Sequence, residues 1–435
     1  TENFNVEAFY QYSWEKTVLP PPGSYFSTND FAGDGGDNNN VQLGFSGNPD
    51  IDVNTLIAGL NQIGDMMRSG DPALMAAAGQ GYLAYPTKVT LRSPGKSAEW
   101  EPEDGGQYGL RLSWYLPELN ETELSLYYVN YHSRRPLFAG QTANFGAATI
   151  GADLGTLATT TITQDNLYDL EAFSQVKLAY PEDIAMYAMS FNTTFGETAF
   201  AGEVSYRQDE PLQIDDVELL FAAMPQQLAN EGVNPAFIRE DLSGISQMGY
   251  YDPGVFAKGY VLSDTTQMQM TFTQLFGPTF GASQFTGLFE IGGVSINDMP
   301  DQSVLRLSGP GTARNGGVEG KEGLEVGLQN GVETNPFPDD FAWGYRLVAK
   351  LDYSNVFMGI NVSPRIVFSH DVSGTTPDPL FLFTEDRKSL SATVSFDYQS
   401  RRSADISYNS FWGGAPGANL MDDRDYLSIN LKYSM

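Results

Sequence analysis

The chain of 435 residues carries a formal charge of −30, and this acidity argues against nucleic acid as a partner because phosphate contacts need basic patches. It contains no Cys and two His, so disulfides, thiolate metal sites and a three-histidine metal site are excluded within one chain. Its 45 Gly, 24 Pro and 13 % aromatic residues are typical of many strands joined by turns and loops.

The first predicted element is a strand near residues 3–15. Its sequence, NFNVEAFYQYSW, places apolar side chains at Phe4, Val6 and Ala8, with polar ones between them. Because side chains alternate between the two faces of a strand, this segment has one apolar and one polar face. The chain enters a strand almost at its first residue, so we expect further strands upstream of it.

Eleven more segments have the same alternation, and the last of them, DYLSINLKYSM, places Leu427, Ile429 and Leu431 on its apolar face. The twelve predicted strands lie near residues 3–15, 107–117, 122–133, 184–195, 199–208, 262–276, 283–294, 343–354, 358–370, 388–399, 402–412 and 424–435. They indicate an all-β fold with about twelve antiparallel strands in this chain, and about 14–16 with the upstream strands included.

The connections between these strands alternate between short and long. Short ones such as GET follow every second strand, whereas three of the others span residues 16–106, 134–183 and 209–261. This alternation is typical of a transmembrane β-barrel with tight periplasmic turns and large extracellular loops. The sequence has no apolar run long enough for a transmembrane helix, and a sheet in lipid must close because open edges leave backbone groups unpaired. We therefore predict a single outer-membrane β-barrel domain over 1–435, in a Gram-negative bacterium.

Helical segments are predicted inside two of the long loops. One runs over 53–70, a second over 71–79 has Pro72 in its first turn, and a third lies over 214–232 and is capped by Asp215. Their apolar stripes contain Leu56, Leu60, Ile63, Met67, Leu220, Phe221 and Met224. Such stripes either pack within the loops or line a path for an apolar ligand, since Met-rich surfaces adapt to hydrophobic partners.

A set of charged residues is expected on the polar, lumenal face of the strands. Its members are Arg346, Lys350, Asp352, Arg365, Asp397 and Asp405 on consecutive strands, with Glu203 and Arg207 on an earlier hairpin. Charges on neighbouring strands can brace the interior of a barrel as ion pairs, or they can line a polar conduit and select what passes. The sequence leaves both interpretations open.

An oxygen-rich loop, DFAGDGGDNNN, contains Asp30, Asp34 and Asp37. Oxygen ligands suit Ca²⁺, but the loop lacks the spacing of a known calcium loop, and its glycines also favour tight turns. No other cofactor is expected. Acidic loops can also hold divalent ions that bridge the phosphates of lipopolysaccharide, a surface that otherwise repels a chain of charge −30.

The two histidines, His132 and His370, are predicted at the outer ends of strands. Outer-membrane hydrolases use Ser, His and Asp or Asn at such rims. Here Ser133 and Asp371 are sequence neighbours of the histidines, and adjacent residues on a strand point to opposite faces. We therefore expect histidines bonded to loops, and no enzymatic activity.

Several blocks of the sequence carry a resemblance to a known family. They include WEKTVLPPPGSYFSTNDFAGDGGD, YPEDIAMYAMSFNTTF, GEVSYRQDEPLQI, LRLSGPGT and WGYRLVAKLDYSNVFMGINVSPRIVFSHDVSGTTP. From residue 1 to 435 the chain resembles the Domain of Unknown Function 1302 family of proteobacterial outer-membrane proteins. Members carry a signal peptide and further N-terminal strands, and they usually end in Phe where this chain has Met435.

The resemblance implies a barrel that handles hydrophobic compounds of the hydrocarbon, sterol, lipid or fatty-acid class. Genes of the family often lie beside a companion periplasmic family (Domain of Unknown Function 1329) and inner-membrane transporters of the resistance-nodulation-division type, which are the implied partners. The family has no accepted catalytic residues.

Three functions follow from these patterns. We expect the barrel to move a hydrophobic or amphipathic compound across the outer membrane, with membrane lipid and lipopolysaccharide as its surroundings. The alternative is a plugged structural barrel that scaffolds an envelope complex with periplasmic or transporter partners. A barrel hydrolase is the least favoured of the three.

Overall fold

Strands dominate the computed structural model, which describes residues 3–21, 23–28, 40–42, 51–92, 99–224, 226–227, 230, 246–310, 337–415 and 417–434. The strands are β1 (Phe4–Gln11), β2 (Asn40–Gln42), β3 (Val89–Arg92), β4 (Glu99–Trp100), β5 (Gln107–Leu116), β6 (Thr122–Tyr131), β7 (Leu137–Gln141), β8 (Ser174–Ala179), β9 (Ile184–Phe195), β10 (Thr198–Gln213), β11 (Phe256–Ala257), β12 (Tyr260–Thr279), β13 (Ala282–Ile296), β14 (Phe341–Phe357), β15 (Ile360–Ser373), β16 (Lys388–Tyr398), β17 (Arg402–Trp412) and β18 (Tyr426–Tyr433). The helices are α1 (Val53–Arg68), α2 (Pro72–Leu83), α3 (Ala147–Thr159) and α4 (Asp216–Ala223).

One antiparallel sheet contains twelve of these strands, in the order β1, β5, β6, β9, β10, β12, β13, β14, β15, β16, β17 and β18. These are the twelve strands predicted from the alternation, so the all-β barrel-type fold is confirmed. The register places apolar residues opposite one another, as with Ala8 and Leu110, or Ile406 and Ile429. This matching follows from the period of two, since a slip by one residue would turn the apolar set to the other face.

The first and last strands meet through a loop. Among the described residues no ladder joins β1 to β18. Instead, the Tyr25 hydroxyl donates to the carbonyl of Asp425 at 2.9 Å, and the Phe26 and Tyr426 rings lie 5.6 Å apart. The segment that follows β1 therefore rests on the start of β18, as in a sheet that curves round on itself.

The short connections are all at one end of the large sheet. Three of them have two residues each. In two of these three, Phe280 and Gly281 join β12 to β13, and Met358 and Gly359 join β14 to β15. All four residues have positive φ, between 48° and 81°. Positive φ at both central positions matches the right-handed twist of a tight hairpin, and glycine adopts it without steric cost.

The apolar face of the large sheet is exposed. Leu347 of β14, Ile366 of β15 and Ile429 of β18 are 43 %, 51 % and 63 % exposed, and no other layer of the described chain covers this face. An aromatic row crosses it, with neighbouring ring centroids 4.6–6.3 Å apart. The rings belong to Phe191, Phe200, Phe272, Phe289, Tyr345, Phe368 and Trp412. In a β-sandwich such side chains would be buried against a second sheet.

The long connections build a separate layer at the other end of the sheet, which we call the cap. It contains the four helices and a smaller sheet in the order β11, β7, β8, β3 and β2, with β4 paired to β8. Its hydrophobic core includes Leu56, Leu60, Ile63, Tyr82, Leu91, Leu157, Leu167 and Phe173. None of the described helices is both long and apolar enough to cross a membrane. The smaller sheet and α3 were not predicted.

Local sequence features at the N-termini of α1 and α2 explain where these helices begin. Asp52 caps α1 by accepting hydrogen bonds from the backbone N–H groups of Asn54 and Thr55, both at 2.9 Å. Pro72 is the first residue of α2, where its missing N–H costs nothing. The predicted α1 and α2 are confirmed. Of the third predicted helix, the structure describes α4, which ends at Ala223, and residues 226, 227 and 230, which are also helical; positions 225, 228, 229, 231 and 232 lie outside the described residues.

One buried side chain fastens the cap to the large sheet. The amide of Gln213, at the end of β10, donates to the carbonyls of Phe138 at 3.1 Å and Gly259 at 2.8 Å. Its Oε1 accepts from the backbone N–H of Phe138 at 2.6 Å, and its own backbone N–H donates to Asp378 at 2.9 Å. Four segments of the cap and the sheet therefore share one satisfied polar centre.

Candidate functional site

The polar face of the large sheet, called the lumenal face, contains a cavity near the short connections. We call it the turn-side cavity, and it is lined by Arg111, Glu123, Ser190, Asn192, Glu203 and Gln269. Arg111 Nη2 donates to Glu123 Oε1 at 2.6 Å, while its Nη1 lies 3.3 Å from Glu7 Oε1. One guanidinium thus links β1, β5 and β6. Because these charges are partly exposed, the pairs align the strands more than they stabilise the fold.

Three of the predicted lumenal charges lie on β14. Lys350 Nζ is 2.8 Å from Asp352 Oδ1, which also accepts from the Ser363 hydroxyl on β15 at 2.6 Å. Arg346 Nη1 lies 3.9 Å from Glu290 Oε1 on β13. These contacts join three consecutive strands, as the bracing interpretation requires.

The other predicted charges are spread around the sheet. Asp405 Oδ2 lies 3.6 Å from Lys432 Nζ, between β17 and β18, and Asp397 accepts from the backbone N–H of Ser400 at 3.1 Å. The remaining three are Arg365, opposite Lys350 in the register, Glu203, in the turn-side cavity, and Arg207, further toward the cap. The eight residues share the lumenal face, but they do not form one cluster.

A second cavity lies between the lumenal face and the cap, and we call it the cap-side cavity. Its volume is about 370 Å³. Its walls come from the outer ends of β6, β9, β10, β12 and β13 and from two cap segments, near residues 132–135 and 379–382. The charged residues that line it are Arg134, Arg135, Arg207 and Glu210. Three guanidinium groups against one carboxylate make this cavity cationic within an acidic chain.

The apolar stripe of α1 is buried in the cap. Leu56 and Leu60 are fully buried and Ile63 is 5 % exposed, while Met67 packs against the same core and is partly buried. This placement corresponds to the first of the two roles considered for the stripe, packing within the loops. A ligand path along these side chains stays a prediction.

The stripe of α4 is also packed. Phe221 and Met224 are buried, and Leu220 is half-buried. Asp215 caps the helix by accepting a hydrogen bond from the backbone N–H of Val217 at 2.8 Å. Burial, together with the charge of Asp216, raises the pKa of Asp215 to about 7. The cap therefore contains a carboxyl whose charge changes near neutral pH.

A buried ion pair lies beside this carboxyl. Arg306 donates to Glu218, and the two side chains are 9 % and 0 % exposed. Glu218 Oε2 also accepts from the backbone N–H of Gln247 at 2.6 Å, and the Arg306 guanidinium lies 5.3 Å from the centre of the Phe337 ring. Such a pair is costly to break, because either partner alone would be an unpaired buried charge.

The whole chain matches the model of one protein family. The match covers residues 1–435, and the family is described as protein of unknown function (DUF1302). The chain belongs to the DUF1302 family. The resemblance that was carried by the sequence blocks is thereby confirmed.

Two crystal structures of mutant forms of the ferric enterobactin receptor from Pseudomonas aeruginosa are similar to this DUF1302 chain. The sequence identities are 12 % and 13 %, with TM-scores of 0.32 and 0.31. Each similarity covers 72 % of this chain and 33 % of the receptor, so the matched part spans a third of the receptor's length. A search of curated proteins found no match.

The histidines of this DUF1302 chain lie at the cap end of the sheet. His132 Nδ1 accepts from the backbone N–H of Asp183 at 3.1 Å, and its Nε2 lies 2.7 Å from the carbonyl of Gly105. Both ring nitrogens are therefore engaged by the backbone of loops. His370 Nε2 lies 3.6 Å from Asp386 Oδ1, next to the aromatic row on the exposed apolar face.

The predicted calcium ligands of the DUF1302 chain, Asp30, Asp34 and Asp37, lie outside the described residues. Within the part of the chain that the structure describes, no three His, Asp or Glu side chains are grouped to hold a metal ion. Calcium binding by this loop stays a prediction.

Several site residues of the DUF1302 chain were not predicted. Arg111 and Glu290 lie on predicted strands, and their polar-face positions were a usable signal. Arg135 follows β6 in a loop, and nothing in the sequence places it in the same cavity as Arg207. The buried partners Arg306 and Glu218 are 88 residues apart, so their pairing needed the folded cap.

Proposed function

We propose that this chain forms a β-barrel in the outer membrane of a Gram-negative bacterium and moves an amphipathic or hydrophobic compound across that membrane. The observation that supports the location is the exposed apolar face of the large sheet. The buried core that includes Leu60 lies in the cap, and the one that includes Leu212 lies where the cap meets the sheet. Exposing such an apolar surface to water costs free energy, whereas contact with lipid acyl chains does not. Aromatic side chains are also enriched at the interfaces of such barrels.

The lumenal face favours an amphipathic compound over a plain hydrocarbon. Its strands present hydroxyl and charged side chains, such as Ser190, Thr271 and Glu203, which would have to lose water against an apolar molecule. The cap-side cavity is the exception, because apolar and charged groups meet there. A compound with a polar end and an apolar body matches both surroundings.

Passage in this proposal involves no chemistry on the compound. It is driven by partitioning or by a periplasmic partner, for which the companion 1329 family and an inner-membrane transporter are the proposed candidates. Membrane lipid and lipopolysaccharide surround the barrel in the same proposal.

A plugged structural barrel is the second candidate. The observation that favours it is the packing of the cap, which has its own buried core and is fastened to the sheet through Gln213. A cap that never moves would close the outer end of the barrel and leave a scaffold for partner proteins.

The two candidate functions differ in whether a probe molecule enters the cell through the barrel. The test compares cells that produce the full chain in their outer membrane with cells that produce an unrelated closed barrel. Both kinds of cell are exposed to an apolar fluorophore and to an anionic amphipathic fluorophore. The transport proposal expects faster entry of at least the amphipathic fluorophore in the first cells. Equal entry of both fluorophores into both kinds of cell contradicts transport and favours the scaffold.

A further inference from the structure

The cap-side cavity is cationic on one side and apolar on the other. On the apolar side, Ile184 and Val294 are each 2 % exposed and Leu380 is 8 % exposed, and all three line the cavity. Ile184 and Val294 come from the sheet, and Leu380 comes from the cap. The apolar wall therefore forms where the two layers meet.

The first cationic group is held by the sheet. Arg207 lies on β10, where its Nη1 donates to the Ser205 hydroxyl at 3.2 Å and to Gln267 Oε1 at 3.3 Å. Its Nε is 3.7 Å from Glu210 Oε2, and the two side chains are 22 % and 14 % exposed. A guanidinium has five N–H donors in a fixed plane, so these contacts orient the group without using all of it.

The second cationic group is held by the cap. Arg135 Nη1 donates to the carbonyls of Pro379 at 2.5 Å and Leu380 at 2.8 Å. Its guanidinium lies 6.0 Å from the centre of the Phe381 ring, within the range of a cation–π contact. Both partners of Arg135 are uncharged, so its positive charge is not neutralised by them.

We propose that the cap-side cavity binds an amphipathic carboxylate, with the carboxylate at Arg207 and Arg135 and the apolar body against Ile184, Val294 and Leu380. Guanidinium groups bind carboxylates through two parallel hydrogen bonds, and the partly desolvated cavity strengthens them. The inference rests on the proposed function and narrows its compound to a class. A neutral analogue of the same shape would leave the arginines without the charge that they recognise.

The test uses the full chain in lipid nanodiscs and three probes: naphthoate, its neutral amide naphthamide, and inorganic phosphate. Calorimetry measures the affinity of each. We expect naphthoate to bind at least about tenfold more tightly than naphthamide, because hydrogen bonds between charged groups are stronger than those to a neutral amide. Phosphate, which has no apolar body, should bind more weakly than naphthoate.

Single-residue variants test which side chains cause the preference for naphthoate over naphthamide. Arg207→Gln should remove most of the preference for naphthoate, and Arg207→Lys should keep part of it, because the charge stays and the planar pair of donors is lost. Arg346→Gln is the matched control, since Arg346 lies on the lumenal face outside this cavity. The Arg346→Gln variant should prefer naphthoate over naphthamide as strongly as the unchanged chain does. This result would show that the loss in Arg207→Gln does not come from a general loss of lumenal charge.

Three results would overturn the inference: equal affinity for naphthoate and naphthamide, an equal loss in Arg207→Gln and Arg346→Gln, or phosphate binding as tightly as naphthoate. Failure of the proposed function is a different result. If naphthoate binds as expected but no fluorophore enters cells, the site stands and transport falls. If fluorophores enter and Arg207→Gln binds naphthoate normally, transport stands and this site falls.

Discussion

Replacement of Asp215 by Asn should make the stability of the cap independent of pH near neutrality. The pKa of this buried carboxyl is raised from 3.8 to about 7, so the folded cap disfavours its ionised form by about 4 kcal/mol. The folded state binds the proton more tightly than the unfolded state, and the cap therefore loses stability as the pH rises from 3.8 to 7. Between pH 5 and pH 8 the expected loss is about 3 kcal/mol.

Near-ultraviolet circular dichroism follows this loss through the packed rings of the cap, such as Tyr82 and Phe173, which lie 6.2 Å apart. The thermal midpoint of the unchanged chain should decrease as the pH is raised from 5 to 8. The midpoint of Asp215→Asn should not change with pH over this range, and the helix stays capped because Asn caps a helix as well as Asp does. Asp216, Glu218 and Arg306 surround the group and stay unchanged.

Asp52→Asn is the matched control for this prediction. Asp52 also caps a helix, but the hydrogen bond from the Thr55 side chain lowers its pKa, so it stays ionised from pH 5 to pH 8. Its replacement should leave the slope of the midpoint against pH as it is. If Asp215→Asn keeps the full slope of the unchanged chain, the attribution to burial of Asp215 is refuted.

Three further predictions concern packing, lipid contact and the lumen. Leu60→Ala should destabilise the cap by about 2–5 kcal/mol in the same dichroism assay, because Leu60 is fully buried, while Leu74→Ala, at an exposed position, should change it by less than about 0.5 kcal/mol. In denaturant unfolding from lipid vesicles, Leu347→Lys should cost about 2–4 kcal/mol and Val348→Lys, on the lumenal face, clearly less. Arg365→Glu should change the single-channel conductance if the lumenal charges select what passes. It should change only the stability if these charges brace the barrel, and a variant in which neither conductance nor stability changes contradicts both roles.

The large sheet could be predicted because one physical pattern repeats in every strand. Leu427, Ile429 and Leu431 alternate with polar residues for the same reason as the apolar residues of the other eleven strands. Tight turns join the strands in pairs. The capping residue Asp215 was also predicted, since its side chain satisfies a backbone donor close in sequence.

The cap could be predicted only in part. All four residues of Val89–Arg92 are buried, so β3 has no alternation, and its parallel partner β8 is more than 80 residues away. The N-cap of α3 is Gly146, which offers no capping side chain. The cap-side cavity joins loop and strand residues, such as Arg135 and Arg207, that no periodicity relates.

The central claim, that lipid covers the apolar face of the large sheet, can be tested by spin labelling along β14. The chain has no Cys, so a single introduced Cys at each position from 345 to 351 carries the only label. In lipid vesicles, labels at Tyr345, Leu347, Ala349 and Leu351 should be relaxed by oxygen, and those between them by a water-soluble nickel complex. Protection of all seven positions from both reagents, as in a sheet buried against protein, would contradict the claim.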